Sequence, residues 1–132
     1  MNEERRRIEP RIAAVLMTLS WLGMVIHNRA EFPRMSVMRP EYVIPTLVSV
    51  ALYLLWLARG EEERLWSWSL LAWTGMHLVI GAWLSVMPLP IWPFVPEQSV
   101  GHYLSHVIYG ILQVPLVVYL VAKLEWRLRV ES

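Results

Sequence analysis

Apolar and polar residues are sorted along this chain into long blocks, not into a short alternation. No Asp, Glu, Lys or Arg occurs from Ile12 to Ile26, Tyr42 to Ala58, Leu65 to Val95 or Gln98 to Ala122. A helix needs roughly 17 to 25 residues to cross a hydrocarbon core about 30 Å thick, and each block approaches or exceeds that length. The pattern predicts an all-α protein: a four-transmembrane-helix bundle with spans at about residues 11–27, 42–58, 65–87 and 99–122, forming one integral membrane domain over 1–132.

Helix signals sharpen these limits. Pro10 is expected to open the first helix, because a residue without an N–H costs nothing in the first turn, and the helix is expected to end near His27. Pro40-Glu41 opens the second, which Gly60 ends. Glu61, Glu62 and Glu63 then stand at the positive N-terminal end of the third helix. That helix must stop near Pro88, since Pro88, Pro90, Pro93 and Pro96 recur too closely for a helix to continue. The fourth helix starts around Pro96-Glu97 or Ser99 and carries Pro115 inside it. The segment from Met87 to Gln98 is a Pro-rich outer loop, read as a rigid connector with aromatic anchors or as a lid over the bundle mouth.

Composition supports the membrane reading. Of 132 residues, 56% are apolar and only 17% charged, against about a quarter charged in a soluble domain. The basic residues are unevenly placed. Nine (Arg5, Arg6, Arg7, Arg11, Arg59, Arg64, Lys123, Arg127, Arg129) fall on the side of the termini, and three (Arg29, Arg34, Arg39) on the other. Positive charge stays inside, so both termini are expected to be cytoplasmic in a bacterial-type plasma membrane. The acidic residues Glu3, Glu4 and Glu9, and the lack of a small-x-small site after Ile26, argue against a cleaved signal peptide. The charged ends are read as solvated, and the net charge of +1 predicts no nucleic-acid partner.

Within the spans, small and polar residues fall on single stripes. They are Ala13, Ser20, Gly23 and His27 in helix one; Thr46, Ser49 and Tyr53 in helix two; Ser67, Thr74, His77, Gly81 and Ser85 in helix three; and His102, His106, Tyr109 and Gln113 in helix four. Helices in lipid associate through such residues, so the stripes are expected to face the bundle centre. Most tryptophans lie near span ends and read as interface anchors, whereas Trp73 sits deeper and needs packing or a partner for its N–H.

The only ionisable groups expected within the bilayer are histidines, all in the outer half. The sequence contains no Cys, so thiolate sites and disulfides are excluded. Neutral imidazole ligates zinc, copper and haem iron, and His102 and His106 at i, i+4 present two nitrogens on one face. His77, His102 and His106 are thus candidate metal ligands. With Tyr109 they are candidate contacts for haem b, a metal ion or a quinone headgroup; either His77 or His27 is expected to face His102 and His106, and Glu31, Glu41 and Glu97 on the same side can add oxygen ligands or caps. The competing reading is hydrogen bonding to Ser85, Ser105, Tyr109 and Gln113.

No recognised catalytic motif is present. The leading expectation is a small polytopic membrane protein serving as a non-enzymatic accessory or assembly subunit, with lipid, other membrane subunits or a homo-oligomer as partners. The alternatives are a redox protein binding haem, metal or quinone through the outer histidines, and a lipid-acting enzyme using a histidine as general base.

Overall fold

A computed structural model describes residues 3–34, 36–58 and 63–131. Four α-helices are present: α1 (Glu3–Glu31), α2 (Pro40–Leu57), α3 (Glu63–Met76) and α4 (Val100–Glu131), with a π-helical run (His77–Leu84) continuing α3 without a break. Among the described residues there is no strand. Among the described residues, three segments are long and apolar enough to cross a membrane: Glu9–Glu31, Pro40–Leu57 and Val100–Trp126. This fits a membrane protein.

The helix ends differ from expectation in ways that matter. α1 begins at Glu3 and carries Pro10 inside it; the Glu- and Arg-rich sequence before Pro10 favours helix. It also runs one turn beyond His27, to Glu31. Pro33 then disfavours helix for the residue before it. The added turn carries Glu31 towards α4. Gly60, Glu61 and Glu62 of the expected turn lie outside the described residues. The third helix changes to π-type at His77 and leaves helical geometry after Leu84, short of Pro88. Sequence periodicity gave no sign of that change.

α1 and α4 run antiparallel and form the most extensive helix pair. Three polar contacts set their register. At one end Lys123 Nζ meets Glu9 Oε2 at 2.7 Å and Glu63 Oε1 at 2.9 Å, joining α1, α3 and α4. Midway, Ser20 Oγ donates to Gln113 Oε1 (2.5 Å), and Gln113 Nε2 donates back to the Ser20 carbonyl (2.9 Å). At the far end Glu31 meets His102. Lys123 and His102 are 21 residues apart, about 32 Å at 1.5 Å per residue, close to the hydrocarbon thickness. Charged groups thus stand at both ends of the pair, and a mutually satisfied polar pair lies between.

α2 is held largely by indole N–H groups. Trp21 Nε1 donates to Thr46 Oγ1 (2.9 Å), Trp56 Nε1 to Ser67 Oγ (3.1 Å) and Trp73 Nε1 to Ser49 Oγ (3.0 Å). Trp21 and Trp56 are therefore interhelical ties, not simple anchors. Trp56 is completely buried, with the Lys123 ammonium 5.3 Å from its ring centre. Glu63 and Lys123 are likewise not solvated ends: their side chains are 8% and 10% exposed.

The Pro-rich connection is tied to the end of the π-helical run. Trp92 Nε1 donates to the Leu84 carbonyl (3.1 Å) and Gln98 Nε2 to the Val86 and Pro96 carbonyls (3.4 and 3.0 Å).

Removing one partner from a buried ionic cluster leaves uncompensated charge behind. The variant Lys123→Met is expected to lose about 3 kcal/mol of stability in a denaturant titration in mild detergent. An unchanged midpoint would show that this cluster does not hold the helices.

Candidate functional site

The end of the bundle opposite Lys123 gathers all four histidines. His27 and Glu31 are one turn apart on α1, and His102 and His106 one turn apart on α4, so two i, i+4 pairs face each other across an antiparallel contact. The His27 and His106 rings have centres 4.3 Å apart, and those of His102 and His106 are 4.5 Å apart. One ligand atom from each of His27, Glu31 and His106 lies within 4.8 Å of the others.

Hydrogen bonding orients each imidazole. His106 Nδ1 donates to the Ala82 carbonyl of the π-helical run at 3.0 Å, so its proton sits on Nδ1 and Nε2 keeps a lone pair. His102 Nδ1 donates to Glu31 Oε2 at 2.6 Å. Ser105 Oγ lies 2.8 Å from both Glu31 Oε1 and the His102 carbonyl, and 3.3 Å from His27 Nδ1, where the tautomer of that imidazole sets which group donates. His102 and His106 therefore share one tautomer, with Nε2 as the basic nitrogen. A ring N–H engaged by a carbonyl or carboxylate is the usual support behind a metal-ligating imidazole. His102 Nε2 is buried and makes no hydrogen bond among the described residues.

His77 is placed differently. Its Nδ1 is hydrogen-bonded to the Tyr109 hydroxyl, and its ring edge packs on Trp73, with centres 4.6 Å apart. Tyr109 also stacks on His27, at 5.2 Å between centres and 9° between planes. The expected trio of His77, His102 and His106 thus contributes one residue, His106, to the close group. His102 stands beside it as the partner of Glu31, and Tyr109 lies between His77 and His27. Glu41 lines, with His27, His77 and Tyr109, a cleft of about 320 Å³ between α1, α2 and the π-helical run.

The group was partly hidden from the sequence. His27 and Glu31 form a His-x-x-x-Glu pair that matches His102-x-x-x-His106 in spacing, but an α1 ending at His27 leaves Glu31 outside the helix. Ala82 carries no sequence signal, because its carbonyl matters and its side chain does not.

Glycines allow this approach. A Cβ on Gly23 would come within 3.0 Å of Leu112 Cβ and 3.2 Å of the Tyr109 carbonyl, and one on Gly81 within 3.1 Å of the Tyr109 ring and hydroxyl. Gly110 meets the Trp83 ring in the same way, at 3.2 Å.

The donor set is two imidazole nitrogens and a carboxylate. It suits Zn²⁺ or Fe²⁺ and leaves coordination positions open. Haem does not fit between the close pairs. Two imidazoles on opposite faces of a porphyrin hold their nitrogens about 4 Å apart and their ring centres further still, whereas these centres are 4.3 and 4.5 Å apart. No family model, curated protein or solved structure matches this chain.

The substitution Gly81→Ala is expected to push Tyr109 from its seat and cost about 1–3 kcal/mol by overpacking. Loss of thermal stability together with a changed Tyr109 fluorescence or ring-proton shift would show it; an unchanged protein would mean that the π-helical run yields freely.

Proposed function

We propose that this chain is an integral membrane protein that binds one divalent transition-metal ion through a ring nitrogen of His27, a Glu31 oxygen and His106 Nε2. The observation that carries this reading is the approach of one ligand atom from each of His27, Glu31 and His106 to within 4.8 Å of the others, with His106 Nδ1 already engaged by the Ala82 carbonyl. A four-coordinate ion with donors about 2 Å away holds them roughly 3.3 Å apart, so side-chain adjustments of about 1 Å close the group. His102 acts behind Glu31 as the orienting partner, and its own Nε2 is within reach of the same neighbourhood. The expectation of an accessory subunit has no comparable observation in its favour.

Lipid is the solvent for the rest of the surface. Large apolar side chains such as Leu47, Leu54, Val107, Ile111 and Val118 are exposed along the helices. The fourth crossing is assigned to residues 63–84, where α3 and the π-helical run together supply the length. With nine basic residues on one side and three on the other, both termini are assigned to the cytoplasm and the metal site to the outer face of a bacterial-type inner membrane.

Titration of the purified protein in mild detergent with Zn²⁺ or Co²⁺ is expected to give one ion per chain, with visible Co²⁺ bands of a low-coordinate site. His27→Ala and His106→Ala should each weaken binding on the order of 100-fold, and His102→Ala about tenfold. His77→Ala should leave it unchanged. Binding that survives loss of both His27 and His106 would overturn the assignment.

Orientation has its own test, made clean by the lack of native Cys. In right-side-out vesicles Val95→Cys, at a position 88% exposed, is expected to react with a membrane-impermeant maleimide. Glu125→Cys should react only after lysis, and the opposite pattern would invert the topology.

A further inference from the structure

The connection between α1 and α2 carries two arginines that the metal reading does not use. Arg34 and Arg39 line a cavity of about 460 Å³ together with Glu31, Phe32 and Pro33. Glu31 therefore belongs both to the wall of this cavity and to the donor group formed with His27 and His106. The cavity meets that donor group at Glu31.

The arginines are unusual in both place and state. Connections on the outer side of a membrane protein are normally poor in Lys and Arg, and the three basic residues assigned to that side here, Arg29, Arg34 and Arg39, all fall at or next to the α1–α2 connection. Arg29 is accounted for by its guanidinium lying 6.0 Å from the Tyr42 ring centre. Arg34 and Arg39 form no ion pair among the described residues. Arg39 is held by a local turn, with hydrogen bonds from Arg39 N to the Ser36 carbonyl (3.1 Å) and from Met38 N to Ser36 Oγ (3.3 Å).

Two uncompensated guanidiniums beside a cation site would repel a bare cation. They suit the arrival of an anion. A divalent ion neutralised only by Glu31 keeps a net positive charge, and a two-His, one-carboxylate ligand set leaves positions open for an outside ligand. Guanidinium presents N–H donors in a planar fork that matches the oxygens of phosphate. The cavity also lies at the Glu31 end of the first candidate span, so in the membrane placement proposed above a ligand would reach it from water or from the lipid headgroup layer.

Resting on the metal assignment, we propose that the site takes a phosphate-class oxyanion, with one oxygen at an open position of the metal and the others held by Arg34 and Arg39. The phosphate has two sources, free inorganic phosphate or an anionic lipid headgroup, and the chemistry of recognition is the same for both. The arginines would bind and orient the anion, and a metal ion held by His27, Glu31 and His106 would withdraw charge from its oxygen.

The test uses Co²⁺-loaded full-length protein in a glycoside detergent that contains no phosphate, read by the visible Co²⁺ spectrum. Addition of inorganic phosphate in one arm and of phosphatidic acid in another is expected to change the bands saturably in at least one. A response to inorganic phosphate assigns the free anion, and a response to phosphatidic acid alone assigns the headgroup. The double variant Arg34→Gln/Arg39→Gln should weaken that response on the order of tenfold or more, about 1.4 kcal/mol per decade, while Co²⁺ affinity stays as in the unsubstituted protein. Bands that neither source moves, or that move equally in the double variant, overturn the inference and leave the metal assignment standing. Failure to bind Co²⁺ at all is visible before any anion is added and overturns the metal assignment itself.

Discussion

A hydrocarbon solvent offers no hydrogen bonds, so every polar group carried into it must find a partner inside the protein. This constraint explains most of the specific contacts in the bundle. Gln113 and Ser20 exchange hydrogen bonds at mid-depth, indole N–H groups reach hydroxyls on neighbouring helices, and Thr74, Ser67 and Ser85 return their hydroxyl protons to carbonyls one turn earlier. Each such bond is worth little alone, about 0.6 kcal/mol on average between helices in lipid. Their geometry still selects which faces meet, because apolar side chains pack against lipid as well as against one another.

The two ends of α1 and α4 show the same rule applied to charge. Lys123 is placed between Glu9 and Glu63 at one end, and Glu31 between His102 and Ser105 at the other. Ionic and charge-assisted contacts thus bracket a length of helix equal to the membrane core. The antiparallel pair cannot slide by a turn without breaking both. The histidine end is therefore positioned by a contact some 30 Å away, and the imidazoles sit on rigid helices instead of loops.

Much of the helical layout was legible in the sequence, because long uncharged blocks have few physical explanations other than lipid or a deep core. α2 and α4 begin where Pro40 and Ser99 indicated, and the polar stripe of His102, His106, Tyr109 and Gln113 does face the other helices. The candidate site was less legible. Its nearest donors include His27 and Glu31; both were among the sequence candidates, but a helix end placed one turn early concealed that α1 presents them together on one face. Sequence spacing also could not tell that Tyr109 would stand between His77 and His27. Trp56 was misread for a related reason: hydropathy places an indole near an interface but does not say whether it points outward or, as here, inward beneath Lys123. The ion pairs of Lys123 join residues more than 50 positions apart and leave no local signature.

The π-helical run from His77 to Leu84 widens the backbone so that Ser85 N bonds to the Ile80 carbonyl, five residues back. Such a stretch is equivalent to an α-helix that has gained a residue without gaining a full turn. Taking one residue out would return it to ordinary α-geometry, with the flanking helix nearly in place and the carbonyls of the wide turn drawn back into bonds four residues apart. The Ala82 carbonyl would then swing away from His106, leaving that imidazole free to choose its other tautomer. Chain length within this short stretch, more than the identity of any side chain in it, governs which nitrogen His106 offers.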